Sequence, residues 1–200
     1  MKRALLTLVV GLASCNCISA QQSSAPAPSA QQTPTPRPPE VDLNTQVPAP
    51  KPEDVKSIDS MLVALYDVIS GPAGPRDWDR FRSLFLPVAR LTASSRDVEG
   101  KIHPRLRSVD DYVKGGGAYF MTHAFFETPI VNRVEQFGNV TQVFSSYESR
   151  NAAGAAPFAR GINSIQMLYD GKRWWIVSIL WDEERPDNPL PKDFATRPSK

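Results

Sequence analysis

The chain has 200 residues and nearly balanced charge, with 23 lysines and arginines against 21 aspartates and glutamates. Without Lys2 and Arg3 the two sets are equal, and no block of like charge occurs elsewhere. This pattern argues against a nucleic-acid-binding surface and against a surface for anionic membranes.

Residues 1–20 have the pattern of an export signal. Lys2 and Arg3 precede an apolar run, Ala4 to Ala13, which is too short to cross a bilayer as a helix. We therefore expect an exported protein of the periplasm or cell envelope.

Two processing routes fit this signal. Ile18-Ser19-Ala20 is a small-residue cleavage site before Gln21, whereas Leu12-Ala13-Ser14-Cys15 resembles a bacterial lipobox. In the second route Cys15 becomes lipidated and anchors the chain to a membrane surface without a spanning helix. Membrane attachment is expected only through this anchor.

Residues 21–52 are predicted to be a disordered linker. They contain nine of the nineteen prolines, mixed with Ser, Ala, Gln and Thr, and have too little apolar surface to offset the entropy of ordering. Such a segment either spaces a tethered domain from its anchor or is a tail without that role. Both cysteines, Cys15 and Cys17, precede it, so the remaining chain has no disulfide, thiol nucleophile or cysteine metal ligand.

Residues 53–187 predict one α+β domain, followed by a proline-rich tail over 188–200. The first helix is expected from about Pro52 to Ser70, because apolar residues recur there at helical spacing, and Gly71-Pro72 ends it. The second follows Gly74-Pro75 and ends at Pro87.

A third helix is predicted to begin at Ser108. Asp111 lies three residues later, which is the spacing of a capping box. Gly115–Gly117 are expected to end or loosen this helix, because glycine is costly in a helix interior.

Strands dominate the rest of the domain. The predicted strands and their connections, in chain order, are Val88–Ala93, a polar loop over Ser94–Lys101, Phe125–Phe137, a turn at Gly138-Asn139, Val140–Arg150, a loop over Asn151–Pro157, Arg160–Tyr169, a turn at Asp170-Gly171, and Lys172–Asp182. The Asp-Gly turn is expected to place both residues at positive φ. Val143, Ser145 and Tyr147 share one strand face.

The last strand is apolar on both faces. Alternation puts Trp174, Ile176, Ser178 and Leu180 on one side, and Trp175, Val177, Ile179 and Trp181 on the other. The helices can cover one face, so a dimer partner, the N-terminal segment or the tail must cover the second. We expect a homodimer through the sheet.

Three segments carry a family resemblance over about 53–184. They are Trp78-Asp-Arg-Phe-Arg-Ser-Leu-Phe85, Phe137-Gly-Asn-Val-Thr-Gln-Val-Phe-Ser-Ser-Tyr-Glu148 and Asp170-Gly-Lys-Arg-Trp-Trp-Ile-Val-Ser178. Together they resemble the nuclear-transport-factor-2-like superfamily, also called ketosteroid isomerase-like or SnoaL-like. The resemblance implies a cone: a curved antiparallel sheet wrapped around three N-terminal helices, with a pocket at the open end.

Enzymes of this superfamily include ketosteroid isomerase, scytalone dehydratase, limonene epoxide hydrolase and polyketide cyclases, and they place carboxylates, histidines or tyrosines inside the cone. No complete set aligns here, so no catalytic residue is assigned, and fold alone does not imply activity. If the chain is an enzyme, His123 is the candidate general base, working with Asp111 or Glu127. The alternative is that His123 is a polar residue of the sheet rim. His103 has the context of a loop residue, and no metal or cofactor motif is present.

Aromatic residues supply the candidate ligand site. Tyr66, Trp78, Phe81, Tyr119 and Phe126 are those expected to approach the cone interior, either as an apolar pocket or as core filling. Asn132 shares a predicted strand face with Phe126, opposite Glu127, Arg133 and Glu135, and is a pocket group or a backbone cap.

Two functional hypotheses follow. The first is a non-enzymatic domain that binds a small hydrophobic ligand or an envelope partner. The second is an isomerase, dehydratase or hydrolase that acts on a hydrophobic small molecule through a histidine–carboxylate pair.

Overall fold

A six-stranded curved sheet organises residues 42–197, the part of the chain that the computed structural model describes. Its strands are β1 (Phe85–Arg96), β2 (Ile102–Ser108), β3 (Phe126–Phe137), β4 (Val140–Arg150), β5 (Ala159–Tyr169) and β6 (Trp174–Glu183). The order across the sheet is β2-β1-β6-β5-β4-β3. The α+β class is thus confirmed, while the predictions for the export signal, Cys15 and residues 21–41 of the linker lie outside the described residues.

One strand pair departs from the antiparallel prediction. β6 pairs antiparallel with β5 on one side but parallel with β1 on the other. The last strand, β6, therefore lies between β1 and the β3–β5 meander.

The helices are α1 (Pro52–Val55), α2 (Ile58–Ile69), α3 (Trp78–Ser83), α4 (Val109–Thr122) and α5 (Lys192–Ala195), and a 3-10 turn spans Leu43–Thr45. The first predicted helix is split into α1 and α2, because Ser57 is extended and caps α2. Its side chain accepts from the Ser60 amide, and Ser60 Oγ accepts from the Ser57 amide. Buried Met61, Leu62 and Leu65 then face the core.

Helix α4 begins as predicted but does not stop at its glycines. The Ser108–Asp111 capping box is confirmed in both directions. The expectation that Gly115–Gly117 end the helix is wrong, since α4 continues to Thr122. An added Cβ at Gly116 or Gly117 would meet the Trp78 indole at 3.5 or 3.4 Å, so the small residues let α3 approach α4 closely.

Strand β2 was not predicted, and β1 is longer than expected. β2 forms an edge of the sheet, and Ile102–Leu106 are exposed, so no apolar alternation marks the strand. Pro104 is tolerated there because an edge strand has unpaired positions on one side. β1 includes Pro87 and runs on to Arg96.

Two β-bulges reverse the predicted face assignments. The register shifts in β3 between Pro129 and Val131. Because of this extra residue, Glu127 and Asn132 pair with Ser149 and Ser145, which are both buried on the inner face of β4. The prediction that Glu127 and Asn132 lie on opposite faces is therefore wrong.

The second bulge lies in β6. Register shifts around Val177, with Ile176 opposite Met167 and Ser178 opposite Gln166. Trp174 and Ile176 belong to the core before the bulge, and Ile179 joins it after the bulge. The simple alternation predicted for this strand is thus wrong. Trp174 and Ile176 were predicted on one face and Ile179 on the other, but all three belong to the core.

The turn before β6 also differs from the prediction. Gly171 has φ of 93°, but Asp170 is not in the positive-φ region. The Asp170 carboxylate instead accepts hydrogen bonds from the amides of Lys172 and Arg173, both at 2.8 Å. This side chain organises a loop between the paired residues Tyr169 and Trp174.

The C-terminal tail covers part of the outer sheet face. Phe194 is buried against Phe144 of β4, with ring centres 6.4 Å apart, and the Arg133 guanidinium lies 4.6 Å from its ring centre. Arg160 donates a 2.6 Å hydrogen bond to the Ala195 carbonyl. The tail was one of three predicted covers for the second face of β6, but the contacts described here lie on β3, β4 and β5, and the homodimer stays a prediction. Among residues 42–197, no helix is long and apolar enough to cross a membrane.

Candidate functional site

A cavity of about 180 Å³ lies between the inner sheet face and helices α2, α3 and α4. Its walls are mostly apolar, with six polar side chains among them. The lining residues are Leu65, Ile69, Phe81, Leu91, Tyr112, Phe125, Glu127, Tyr147, Ser149, Phe158, Ala159, Asn163, Ile179, Trp181 and Glu183.

The end of α2 holds Glu127 in place. Gly71 and Phe125 exchange backbone hydrogen bonds of 2.7 and 2.9 Å, which tie the residue after α2 to the start of β3. The Ser70 hydroxyl accepts a 3.0 Å hydrogen bond from the Glu127 amide and donates one of 2.7 Å to the Tyr66 carbonyl. The Glu127 side chain is thereby directed into the cavity.

The pKa of the Glu127 carboxyl group lies well above its ordinary value. Burial raises the pKa of Glu127 to about 7, the Ser149 and Asn163 side chains oppose that rise, and the Glu183 charge adds to it. The Ser149 hydroxyl donates a 2.9 Å hydrogen bond to the carboxylate. Within residues 42–197 neither Glu127 nor Glu183 forms an ion pair.

A chain of hydrogen bonds lies behind the cavity wall. Asn163 Nδ2 donates to the Tyr66 hydroxyl at 3.2 Å, and the Tyr66 hydroxyl lies 2.5 Å from Ser145 Oγ. Ser145 Oγ donates to Asn132 Oδ1 at 2.6 Å, so the Tyr66 proton points to Ser145. Each buried polar group in the series has a partner, which fixes Asn163 in the cavity wall.

Two tyrosine hydroxyls remain free to meet a ligand. Tyr112 and Tyr147 line the cavity, and no side chain or backbone group of residues 42–197 is hydrogen-bonded to either hydroxyl. Burial raises the pKa of both phenols, so both are neutral donors at neutral pH. Tyr147 packs directly on Gly161, where an added Cβ would lie 2.6 Å from the phenol oxygen.

The predicted ligand-binding residues are only partly brought together. Phe81 lines the cavity, and Tyr66 and Asn132 belong to the hydrogen-bond chain behind it. Trp78 instead packs on Phe81 and Phe120, with ring centres 5.7 and 5.9 Å apart. Tyr119 is exposed on α4, and Phe126 lies on the side of β3 opposite Glu127.

The predicted catalytic set is not assembled. His123 is exposed and stacks on Tyr119 with ring centres 4.3 Å apart, and its Nδ1 lies 2.8 Å from Thr122 Oγ1. Asp111 is exposed and occupied in the α4 capping box. Of the three predicted residues, Glu127 alone lines the cavity.

Sequence reasoning missed most of the polar cavity residues. These are Tyr112, Tyr147, Ser149, Asn163 and Glu183. Val143, Ser145 and Tyr147 were predicted to share one face of their strand. The same alternation, continued by two residues, places Ser149 on that face as well. The prediction that His103 is a loop residue is wrong, because it lies in β2, where its Nε2 pairs at 2.7 Å with Asp97 Oδ2 of the β1–β2 loop. Within the described part of the chain, no cluster of three or more histidine, cysteine or acidic side chains could hold a metal ion.

Comparison with known proteins identifies the fold. No protein-family model matches the sequence, and no curated protein matches it. A protein of unknown function with a cystatin-like fold from Nostoc punctiforme PCC 73102 is 12% identical, with a TM-score of 0.50 over 67% of this chain and 92% of that one. The expected cone fold is therefore confirmed.

Two further solved structures are similar to this chain at lower TM-scores. An uncharacterised protein with a cystatin-like fold from Caulobacter vibrioides is 14% identical, with a TM-score of 0.47 over 65% of this chain and 89% of that one. An NTF-2 like protein of unknown function from Silicibacter pomeroyi DSS-3 is 16% identical, with a TM-score of 0.40 over 64% and 89%.

Proposed function

We propose that the protein is exported and that its domain binds a small, mainly apolar molecule in the cavity, with the polar end of that molecule at Glu127. The observation that carries the proposal is the division of the cavity surface. Phe125, Phe158 and Ile179 give apolar walls, whereas Glu127 and the free hydroxyl of Tyr147 lie together among them. A few convergent polar groups in an apolar cavity are typical of small-molecule sites.

The volume limits the ligand. A dry engineered cavity of about 150 Å³ binds benzene, and drug-sized ligands occupy clefts of about 300 Å³ or more. The cavity here, at about 180 Å³, suits a body of one ring or a short branched chain.

Filling the cavity tests the proposal. Ala159 lines the cavity, so Ala159→Leu should reduce its volume, while Ala153→Leu in an exposed loop is the matched control. Native mass spectrometry and calorimetry of the full chain with ring-sized compounds should detect binding that Ala159→Leu abolishes and Ala153→Leu retains. Binding that survives Ala159→Leu unchanged would place the ligand elsewhere.

A second candidate function is proton transfer on a carbonyl compound. The pKa of Glu127, at about 7, suits a general base near neutral pH, and Tyr112 and Tyr147 could donate hydrogen bonds to an enolate oxygen. Glu127 would remove a proton from the carbon beside the carbonyl and return it to the same or a neighbouring carbon. This replaces the predicted histidine–carboxylate pair with a carboxylate–tyrosine set.

Hydrogen exchange tests this candidate directly. Cyclohexanone in deuterated water should exchange its α-hydrogens faster with the protein than without it, and Glu127→Gln should remove the acceleration. If Glu127→Gln exchanges as fast as the unaltered protein, Glu127 is not the base.

A further inference from the structure

We infer that the ligand of this cavity is a cation, namely an ammonium group on a ring-sized apolar body. The inference rests on the proposed small-molecule binding and names the chemical class. It follows from the charge of the cavity, its aromatic walls and an unpartnered hydroxyl.

The cavity has two carboxyl groups and no matching cation. Glu127 and Glu183 both line it, and neither is ion-paired with any residue of 42–197. Acidic groups on the adjoining strand ends are already paired: Glu148 with Arg150 at 2.8 Å and Asp182 with Arg185 at 2.6 Å. Glu127 and Glu183, which line the cavity, have no such partner among residues 42–197.

One guanidinium lies beside the cavity wall without neutralising it. Arg107 stands 5.8 Å from the ring centre of Trp181 and forms no ion pair with Glu127 or Glu183. A buried carboxylate without a cation is costly, so Glu127 must take either a proton or a positively charged guest.

Aromatic rings surround the two acids. Tyr112, Phe125, Tyr147, Phe158 and Trp181 all line the cavity. The faces of such rings attract an ammonium ion, and the attraction strengthens when water is excluded. A neutral alcohol of the same shape gains nothing comparable.

Tyr147 supplies an acceptor that the protein leaves unused. Its side chain belongs to a residue only 4% exposed, it lines the cavity, and its hydroxyl has no hydrogen-bond partner among residues 42–197. An ammonium group has three donors. Glu127 and Tyr147 can accept two of them, and Glu183 at the exposed end of β6 offers a further acceptor.

Protonation should control this site. The groups that face Glu127 are Tyr66 from α2, Tyr112 from α4, Tyr147 from β4 and Glu183 from β6. The tyrosines stay neutral at neutral pH because burial raises the pKa of each. Glu127, whose pKa is about 7, is then the acid that gains its charge as the pH rises to 8.

The test compares matched amines and alcohols on the full chain at pH 8. The pairs are butylamine with butanol, benzylamine with benzyl alcohol, and phenethylamine with phenethyl alcohol, measured by calorimetry and ligand-observed NMR. We expect the best amine to bind at least about tenfold more tightly than its alcohol, because charge-assisted hydrogen bonds are roughly twice as strong as neutral ones. Glu127→Gln should remove that preference, whereas Glu135→Gln on the opposite face of β3 should retain it.

Each outcome has one meaning. Equal binding of amines and alcohols would overturn the ammonium inference and leave the proposed function standing. No binding of any pair would overturn both. An amine preference that persists in Glu127→Gln, with a cooperative unfolding transition showing that the variant is folded, would place the amine elsewhere and overturn the inference.

Discussion

Ser149 and Glu127 face each other across the β3–β4 pair, and the serine hydroxyl donates a 2.9 Å hydrogen bond to the carboxylate. Ser149 is 2% exposed, so water does not compete for this bond. This contact, together with the Asn163 side chain, favours the ionised form of Glu127 in a site where burial favours the protonated form. The balance of these two effects sets the charge of the cavity.

Ser149→Ala should raise the pKa of Glu127 above 7, because the hydrogen bond to the ionised form is lost. Carbon-13 NMR titration of the Glu127 carboxyl measures the change. Ser178→Ala on β6, whose hydroxyl donates to Gln166, is the control and should leave the titration unchanged. A lower pKa in Ser149→Ala would show that the serine does not stabilise the carboxylate.

The stability of the protein should fall as the pH rises from 4.5 to 7. Folding raises the pKa of Glu127 from 4.5 to about 7, so the folded state binds more protons in this window. Linkage then gives a loss of up to about 3 kcal/mol at pH 8 relative to pH 4 from this group. Urea unfolding at a series of pH values measures the loss.

Glu127→Gln should cancel that dependence, since the amide does not titrate. Relative to the unaltered protein, the variant should therefore gain about 3 kcal/mol of stability between pH 4 and pH 8. Glu135→Gln, at an exposed site, should leave the pH profile as it is. An unchanged slope in Glu127→Gln would mean that another group dominates this window.

Gly161→Ala should destabilise the protein and narrow the cavity. The new Cβ would lie 2.4 Å from the Asp182 carbonyl oxygen and 2.6 Å from the Tyr147 hydroxyl, and the carbonyl belongs to a paired strand that cannot easily move. We expect a loss of about 1–3 kcal/mol, as for other overpacked sites.

Gly115→Ala is the contrasting substitution. Nothing lies within 4 Å of an added Cβ at this helical position. Thermal unfolding should show a gain of about 0.4–1 kcal/mol, because alanine restricts the unfolded chain and favours the helix. A loss at Gly115 equal to that at Gly161 would refute the assignment of the Gly161 effect to steric contact.

Asp54→Asn should weaken the ion pair that connects α1 to α3. Asp54 is 6% exposed and accepts from Arg80 at 2.7 and 3.0 Å, so its loss leaves a partly buried guanidinium without its main partner. We expect a cost of about 3 kcal/mol. Asp110→Asn, which removes the exposed partner of Arg82, should cost less than about 1 kcal/mol. Urea unfolding distinguishes the two, and equal costs would contradict the role of burial.

Local signals gave the accurate predictions. The Ser108–Asp111 cap and the bounds of β4 depend on residues a few positions apart, and both are as expected. The set of side chains that line the cavity depends on the register between strands, which short sequence patterns do not show. Ile130 and Val177 are ordinary strand residues, and nothing in their identity marks an extra position, yet the bulges at these points decide which side chains face inward.

The residues that line the cavity were hard to predict for a related reason. His123 was singled out by residue type, but its surroundings are an exposed helix end. Tyr112 of α4 and Tyr147 of β4 come from elements far apart in the chain, and only the folded arrangement brings both to the wall of one cavity. Glu127 lies on a strand that the sequence predicts, but the face on which it lies was not predicted.

The parallel pairing of β1 with β6 has a consequence for biosynthesis. Residues 85–96 leave the ribosome long before residues 174–183, which pair with them. Until residues 174–183 emerge, β1 and β2 can form only a two-stranded ribbon, and such ribbons are marginal in water. The β3–β5 meander can form meanwhile, so completion of the sheet, and with it the cavity, must wait for the release of the final strand.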